Sequence, residues 1–90
     1  MAQITDTELL TKVKDGLGIA GNYQDATLQV YIDEVKDFMK EAGVLDDVLN
    51  DSKAIGCIIR GVVDLWNYGS GGAAFSEHFK MRVVQLSVKG

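Results

Sequence analysis

The sequence predicts an all-α fold, a small bundle of about four helices with a flexible glycine-rich loop before a C-terminal helix or tail. Three observations point there. Apolar residues recur at i, i+3, i+4 and i+7 through several segments, and no segment alternates over a strand's length before residue 83. Proline is absent, so nothing breaks those segments from within. Glycines fall where the patterns stop, at Gly18, at Gly43 and in the run that begins at Gly69.

The first helix is announced by a capping box, with Thr5 as N-cap and Glu8 three residues on. Ile4 and Leu9 occupy the two positions of a hydrophobic staple. Leu9, Leu10, Val13 and Leu17 form its apolar stripe, and Gly16 and Gly18 end it. A turn-rich connection leads to the second helix, which starts near Asp25. There Leu28, Tyr31, Ile32, Val35, Phe38, Met39 and Ala42 keep helical spacing until Gly43. Residues 44–49 form a helical turn or short helix. The third long helix starts at Asn50, Asp51 or Ser52, any of which can cap, and runs to about Asn67. It is apolar on every side from Ala54 to Trp66, as a buried helix is. Gly56 and Gly61 inside it each cost about 1 kcal/mol relative to Ala, and close helix packing is the expected compensation. Ser76 can cap a last helix with Phe79, Val83 and Leu86 on one face. Its end, with Val83, Val84 and Val88, could equally be extended.

The 90 residues are expected to form one domain over 1–90, with core helices over about 5–67, a flexible loop over 68–75 and a C-terminal helix or tail over 76–90. A chain of this length buries roughly 60–68% of its unfolded surface. That suffices for one modest core, stable by about 5–13 kcal/mol. No apolar run approaches the roughly 18 residues of a membrane span. The first residues have neither the basic region nor the apolar stretch of a secretory signal, so cytoplasm-like conditions are expected. One cysteine leaves no internal disulfide framework and no Cys-rich zinc site.

The net charge is −4, which argues against a duplex-binding surface. Its distribution is uneven. Residues 1–51 carry 11 acidic and 4 basic side chains, whereas residues 52–90 carry 2 acidic and 5 basic ones. Such polarity suits head-to-tail contacts between copies, with chance variation in a solvated surface as the plain alternative. Asp33, Asp37 and Glu41 form an i, i+4, i+8 row on the second helix. It is either a solvated face softened by Lys36 and Lys40 or an acidic stripe facing a channel or a basic partner.

Several motifs approach known chemistry and fall short. Gly69-Ser70-Gly71-Gly72-Ala73-Ala74 fits G-x-G-x-x-A, but a helix precedes it where the dinucleotide fold needs a strand. Cys57 and His78 could be imagined as nucleophile and base. Cys57 lies in the apolar helix as a small core residue would, and His78 reads as a surface residue. Asp46, Asp47 and Asp51 lack the glycine and terminal glutamate of a calcium loop. No catalytic, cofactor or metal residue is therefore assigned, and no enzyme is expected.

The block Asp64-Leu65-Trp66-Asn67-Tyr68-Gly69 ends the apolar helix at two aromatics. Trp66 reads as core because it continues the row Ile55, Ile59, Val62, and Tyr68 reads as interface. Gly69 to Ala74 offers no large side chain to anchor the backbone, which suits a loop ordered from outside.

The chain resembles the small head–tail connector proteins of tailed phages, also called head-completion or adaptor proteins. The similarity covers most of the length. It includes Leu17-Gly18-Ile19, the run from Tyr31 to Met39, Ala42-Gly43-Val44, the run from Arg60 to Gly71, and Arg82-Val83-Val84-Gln85-Leu86-Ser87. The Asp-Leu-Trp-Asn-Tyr-Gly block followed by Arg-x-x-Gln-Leu is its distinctive part. The resemblance implies a non-catalytic, cofactor-free helical subunit of a homo-oligomeric ring under the portal vertex, of about a dozen copies. DNA passes through such a ring without specific binding, and partners are the portal protein and a tail-completion or stopper protein. The location implied is the virion head–tail junction, and host cytoplasm during assembly, with no membrane. Interface residues expected on this basis are Tyr68, Gly69, Ser70, Gly71, Arg82, Gln85 and Leu86. Asp33, Asp37 and Glu41 would line the lumen and repel DNA. The competing reading is a small helical nucleic-acid-binding or DNA-packaging accessory protein, for which only Arg60, Lys80, Arg82 and Lys89 are available.

Overall fold

The computed structural model describes residues 4–68 and 75–89. In chain order these form α1 (Asp6–Leu17), α2 (Asp25–Glu41), a short α3 (Asp46–Leu49), a 3-10 turn (Ser52–Ala54) leading directly into α4 (Ile55–Tyr68), and α5 (Glu77–Lys89). No strand occurs among the described residues. The all-α bundle expected from the sequence is present.

Local signals explain most of the boundaries. Thr5 Oγ1 accepts the Glu8 N–H at 3.1 Å, and Glu8 Oε1 accepts the Thr5 N–H at 3.3 Å, which completes the capping box of α1. Gly18 alone ends that helix. It takes φ 70°, and its N–H and that of Ile19 bond to the carbonyls of Asp15 and Lys14. Gly16, expected to help end α1, lies inside it. A Cβ there would sit 2.8 Å from Ile59 Cγ2, so its bare backbone lets α1 lie close on α4. The Lys14 ammonium reaches the Asp25 carboxylate at 2.9 Å and ties the start of α2 to the end of α1. Among the three residues able to cap the next helix, Asp51 does so, its carboxylate accepting the Lys53 N–H at 2.9 Å.

The core lies around α4, which touches α1, α2 and α5. Leu9 and Val13 of α1, Leu28, Ile32, Val35 and Met39 of α2, and Ile58, Val62 and Leu65 of α4 are buried together. At Gly61 three helices meet: a Cβ would lie 2.7 Å from Phe79 Cε1 and 2.9 Å from both methyls of Val35. Close packing thus explains Gly61. It does not explain Gly56, where an added Cβ would meet nothing within 4 Å.

The last segment is helical through Lys89, with Ser76 Oγ accepting the Phe79 N–H at 3.2 Å. Packing decides against the extended alternative. Helical spacing brings Phe79, Val83 and Leu86 to one buried face, whereas a strand would send Leu86 to the opposite side. Each of these three contributes about 1.5–3 kcal/mol by leaving water. Of the loop expected over 68–75, only the two end residues are among those described. Tyr68 closes α4, and Phe75 is buried, its ring 4.9 Å from Phe38 and 4.6 Å from Phe79. The expectation of flexibility from Gly69 to Ala74 lies outside the described residues.

Candidate assembly interface

α5 is fixed to the core from both ends of its entry. Asp64, 4% exposed in the largely apolar α4, accepts the Ser76 N–H on Oδ2 at 2.9 Å. A carboxylate so buried needs its hydrogen bonds met, and this one anchors the backbone turn that starts α5. Nothing in the sequence pairs residues 64 and 76. The only signal was a lone acid among Val62, Val63, Leu65 and Trp66.

With Phe79, Val83 and Leu86 turned inward, α5 still carries a second apolar row on its outside. Met81, Val84 and Val88 are 61%, 58% and 79% exposed at spacings of three and four residues. A contiguous exposed apolar row of this kind is a candidate contact surface. The sequence leaves this stripe unread because its valines suit a helix and an extended segment equally. Beside it, Arg82 Nη1 donates to Gln85 Oε1 at 3.0 Å. Gln85 is exposed and Arg82 half-buried, whereas Leu86, expected at the interface with them, is completely buried and supports the helix from behind.

Tyr68 is 75% exposed at the end of α4. Trp66 is less buried than its row suggested. It follows Leu65, which faces the core, and one residue is about 100° round a helix. Its ring therefore lies at the rim, 37% exposed, with its centroid 6.4 Å from that of Tyr31 in an edge-to-face arrangement. Gly69, Ser70 and Gly71 lie outside the described residues.

Asp33, Asp37 and Glu41 are all exposed along α2. Asp33 accepts a hydrogen bond from Gln29 Nε2 at 3.0 Å. The row is thus a continuous carboxylate edge, separate from the buried face of Leu28, Ile32, Val35 and Met39.

A groove of about 300 Å³ opens where the 3-10 turn, α4 and α5 meet. Lys53, Arg60, His78 and Arg82 line it, and Gly56, Cys57 and Phe79 complete its wall. The sequence did not reveal this convergence, since its cations come from three elements. Cys57 and His78 do share the groove, but no hydrogen bond between them occurs among the described residues. Burial pushes the Cys57 thiol up from 9.0 to about 11, outweighing the opposing pull of Arg82. The sulfur is therefore held as a neutral thiol at physiological pH, the opposite of an activated nucleophile. Among the described residues no three His, Cys, Asp or Glu side chains come together to hold a metal, and no helix is long and apolar enough to cross a membrane.

The surfaces available are thus an apolar outer stripe, an acidic edge and a basic groove, the equipment of a subunit that joins others. No curated protein and no solved structure matches the chain. The family model described as Phage gp6-like head-tail connector protein matches residues 7–90, nearly the whole chain, and the protein belongs to that family of structural proteins that join phage head and tail.

Proposed function

We propose that this chain forms a closed ring at the portal vertex that joins the DNA-filled head to the tail and lets DNA pass through its centre. Family membership supports the head–tail role, and the observation that carries assembly is the second apolar row of α5. Met81, Val84 and Val88 lie beside Arg82 and Gln85, and Tyr68 is also exposed. In this reading these residues, with Gly69, Ser70 and Gly71, meet the portal protein or a neighbouring copy, and a tail-completion protein docks on the finished ring. Asp33, Asp37 and Glu41 face the lumen, where carboxylates repel phosphate and keep passing DNA from sticking. The chain works as a structural part, without catalysis or cofactor. It is made in the host cytoplasm and ends at the head–tail junction of the virion.

Val84→Asp tests the reading. Val84 is exposed, so the variant should melt near the wild-type temperature yet fail to co-sediment with portal rings of the same phage. Undiminished co-sedimentation would reject the α5 stripe as the docking face. Retention of the wild-type protein on DNA at about 0.15 M salt, where surface charges are screened beyond roughly 8 Å, would favour the packaging-accessory alternative.

A further inference from the structure

The basic groove has a feature that folding of the single chain does not explain. The carboxylate-paired lysines lie elsewhere: Lys14 with Asp25, Lys36 with Asp6, Lys40 with Asp46 and Lys80 with Glu77. Lys53 and Arg60 have no ion-pair partner among the described residues, and Arg82 bonds only a neutral amide oxygen. Three cations therefore converge on one groove with no carboxylate paired to them among the described residues. Gly56 adds an independent sign. A glycine inside a helix costs about 1 kcal/mol relative to Ala, and an added Cβ here would meet open space. No contact within the subunit requires it. Its effect is to keep the wall of the groove low.

What would fill such a site is an apolar side chain flanked by carboxylates. The acidic half of this chain carries one. Leu45 is 56% exposed just before α3, and Asp46 and Asp47 follow it, both exposed. Asp46 meets Lys40 only at 3.8 Å in a solvated pair, and Asp47 has no ion-pair partner among the described residues. The groove has the volume of roughly ten waters, ample for one leucine side chain, with Phe79 and Cys57 in its wall. We infer that the Leu45-Asp46-Asp47 turn of a second copy docks in the Lys53–Arg60–Arg82 groove, Leu45 over Gly56 and the Asp46 and Asp47 carboxylates against the cations. Turn and groove are different patches, so the contact is head-to-tail and can close a ring. Nucleic acid is the poorer occupant. Three cations on a chain of net charge −4 are few against the 6–10 phosphate contacts typical of tight DNA binders. The inference rests on the ring reading and specifies its lateral contact.

Disulfide trapping tests it, with the full chain in a Cys57→Ala background assembled on portal rings. Leu45→Cys in one copy should cross-link to Gly56→Cys in another at least ten times faster than Tyr23→Cys does, Tyr23 being the more exposed control. Arg60→Glu should slow trapping tenfold or more, and adding Asp47→Arg to the partner copy should restore it. Gly56→Leu should keep or raise the melting temperature while lowering the number of copies held per portal. Multi-copy complexes without 45–56 trapping would overturn the groove contact and leave the ring reading standing. Absence of multi-copy complexes would overturn both. Rescue of Arg60→Glu by Asp37→Arg instead of Asp47→Arg would assign the groove to the α2 row and reject the turn. DNA retention abolished by Arg60→Glu would make the groove a phosphate site.

Discussion

Gly61→Ala and Gly56→Ala are the same change five residues apart in one helix, and the structure predicts opposite outcomes. Helix propensity alone favours Ala at both sites by about 1 kcal/mol. At Gly56 the new methyl meets open space, so that gain should be realised. At Gly61 it would lie 2.7 Å from Phe79 Cε1 and 2.9 Å from both Val35 methyls. Carbon atoms prefer about 3.5–4.0 Å, so these neighbours would have to retreat by roughly 0.6–1.3 Å. Neither has room. Phe79 is packed between Phe38 and Phe75 at 5.6 and 4.6 Å, and Val35 is completely buried. Overpacking costs about 1–3 kcal/mol, and with neither neighbour free to move the upper part of that range applies, about 2–3 kcal/mol, which leaves Gly61→Ala destabilised by about 1–2 kcal/mol after the propensity gain of about 1 kcal/mol. The two variants should then differ by about 2–3 kcal/mol, or on the order of 10–20 °C in Tm for a domain of this size. Thermal melts followed by far-ultraviolet circular dichroism read this directly. Equal melting temperatures, or a more stable Gly61→Ala, would refute the three-helix contact.

Asp64→Ala should cost about 1–3 kcal/mol by leaving the Ser76 N–H without its acceptor, and Asp64→Asn should cost less because an acceptor oxygen remains; urea melts giving equal losses would remove the anchor of α5. Trp66→Ala should cost about 1–2 kcal/mol, less than the 3–5 of a fully buried aromatic, because its ring stands at the rim; a loss in urea melts at the upper value would return it to the core. Cys57 gives stability a pH dependence. The folded chain holds the thiol proton up to about pH 11, whereas the unfolded chain releases it near 9.0. The folded state then binds more protons, so this contribution is intact below pH 9 and is lost as pH rises toward 11. Cys57→Ala should lack that component of the alkaline decline, and parallel pH series of urea melts showing identical declines would contradict it.

How much was legible in the sequence follows from how local each signal is. The start of α1 needs only Thr5 and Glu8, and the ends of α1 and α2 need only Gly18 and Gly43, so those boundaries could be read directly. The stripe of α2 was equally plain, because its period is set by one helix facing one core. Gly56 and Gly61 could not be told apart, and Gly16 read as a helix end, since the meaning of each lies in what another element places opposite it. The same holds for Asp64, whose partner Ser76 is twelve residues away. α5 was the hardest helix: two apolar rows on one short segment blur the helical period, and its valines carry a strand preference. The groove was invisible because Lys53, Arg60 and Arg82 converge only when the 3-10 turn, α4 and α5 are packed. Leu86 and Trp66 exchanged their expected environments for the same reason. One residue of rotation on a helix decides between core and surface, and sequence spacing alone did not set the centre of the buried face.

Native mass measurement of the chain mixed with portal rings of its own phage tests the proposed assembly most directly. A closed ring gives a single complex with one fixed number of copies per portal, with free chain as monomer or weak oligomer. Portal rings that remain bare, or that carry a broad spread of copy numbers with no preferred value, would contradict it.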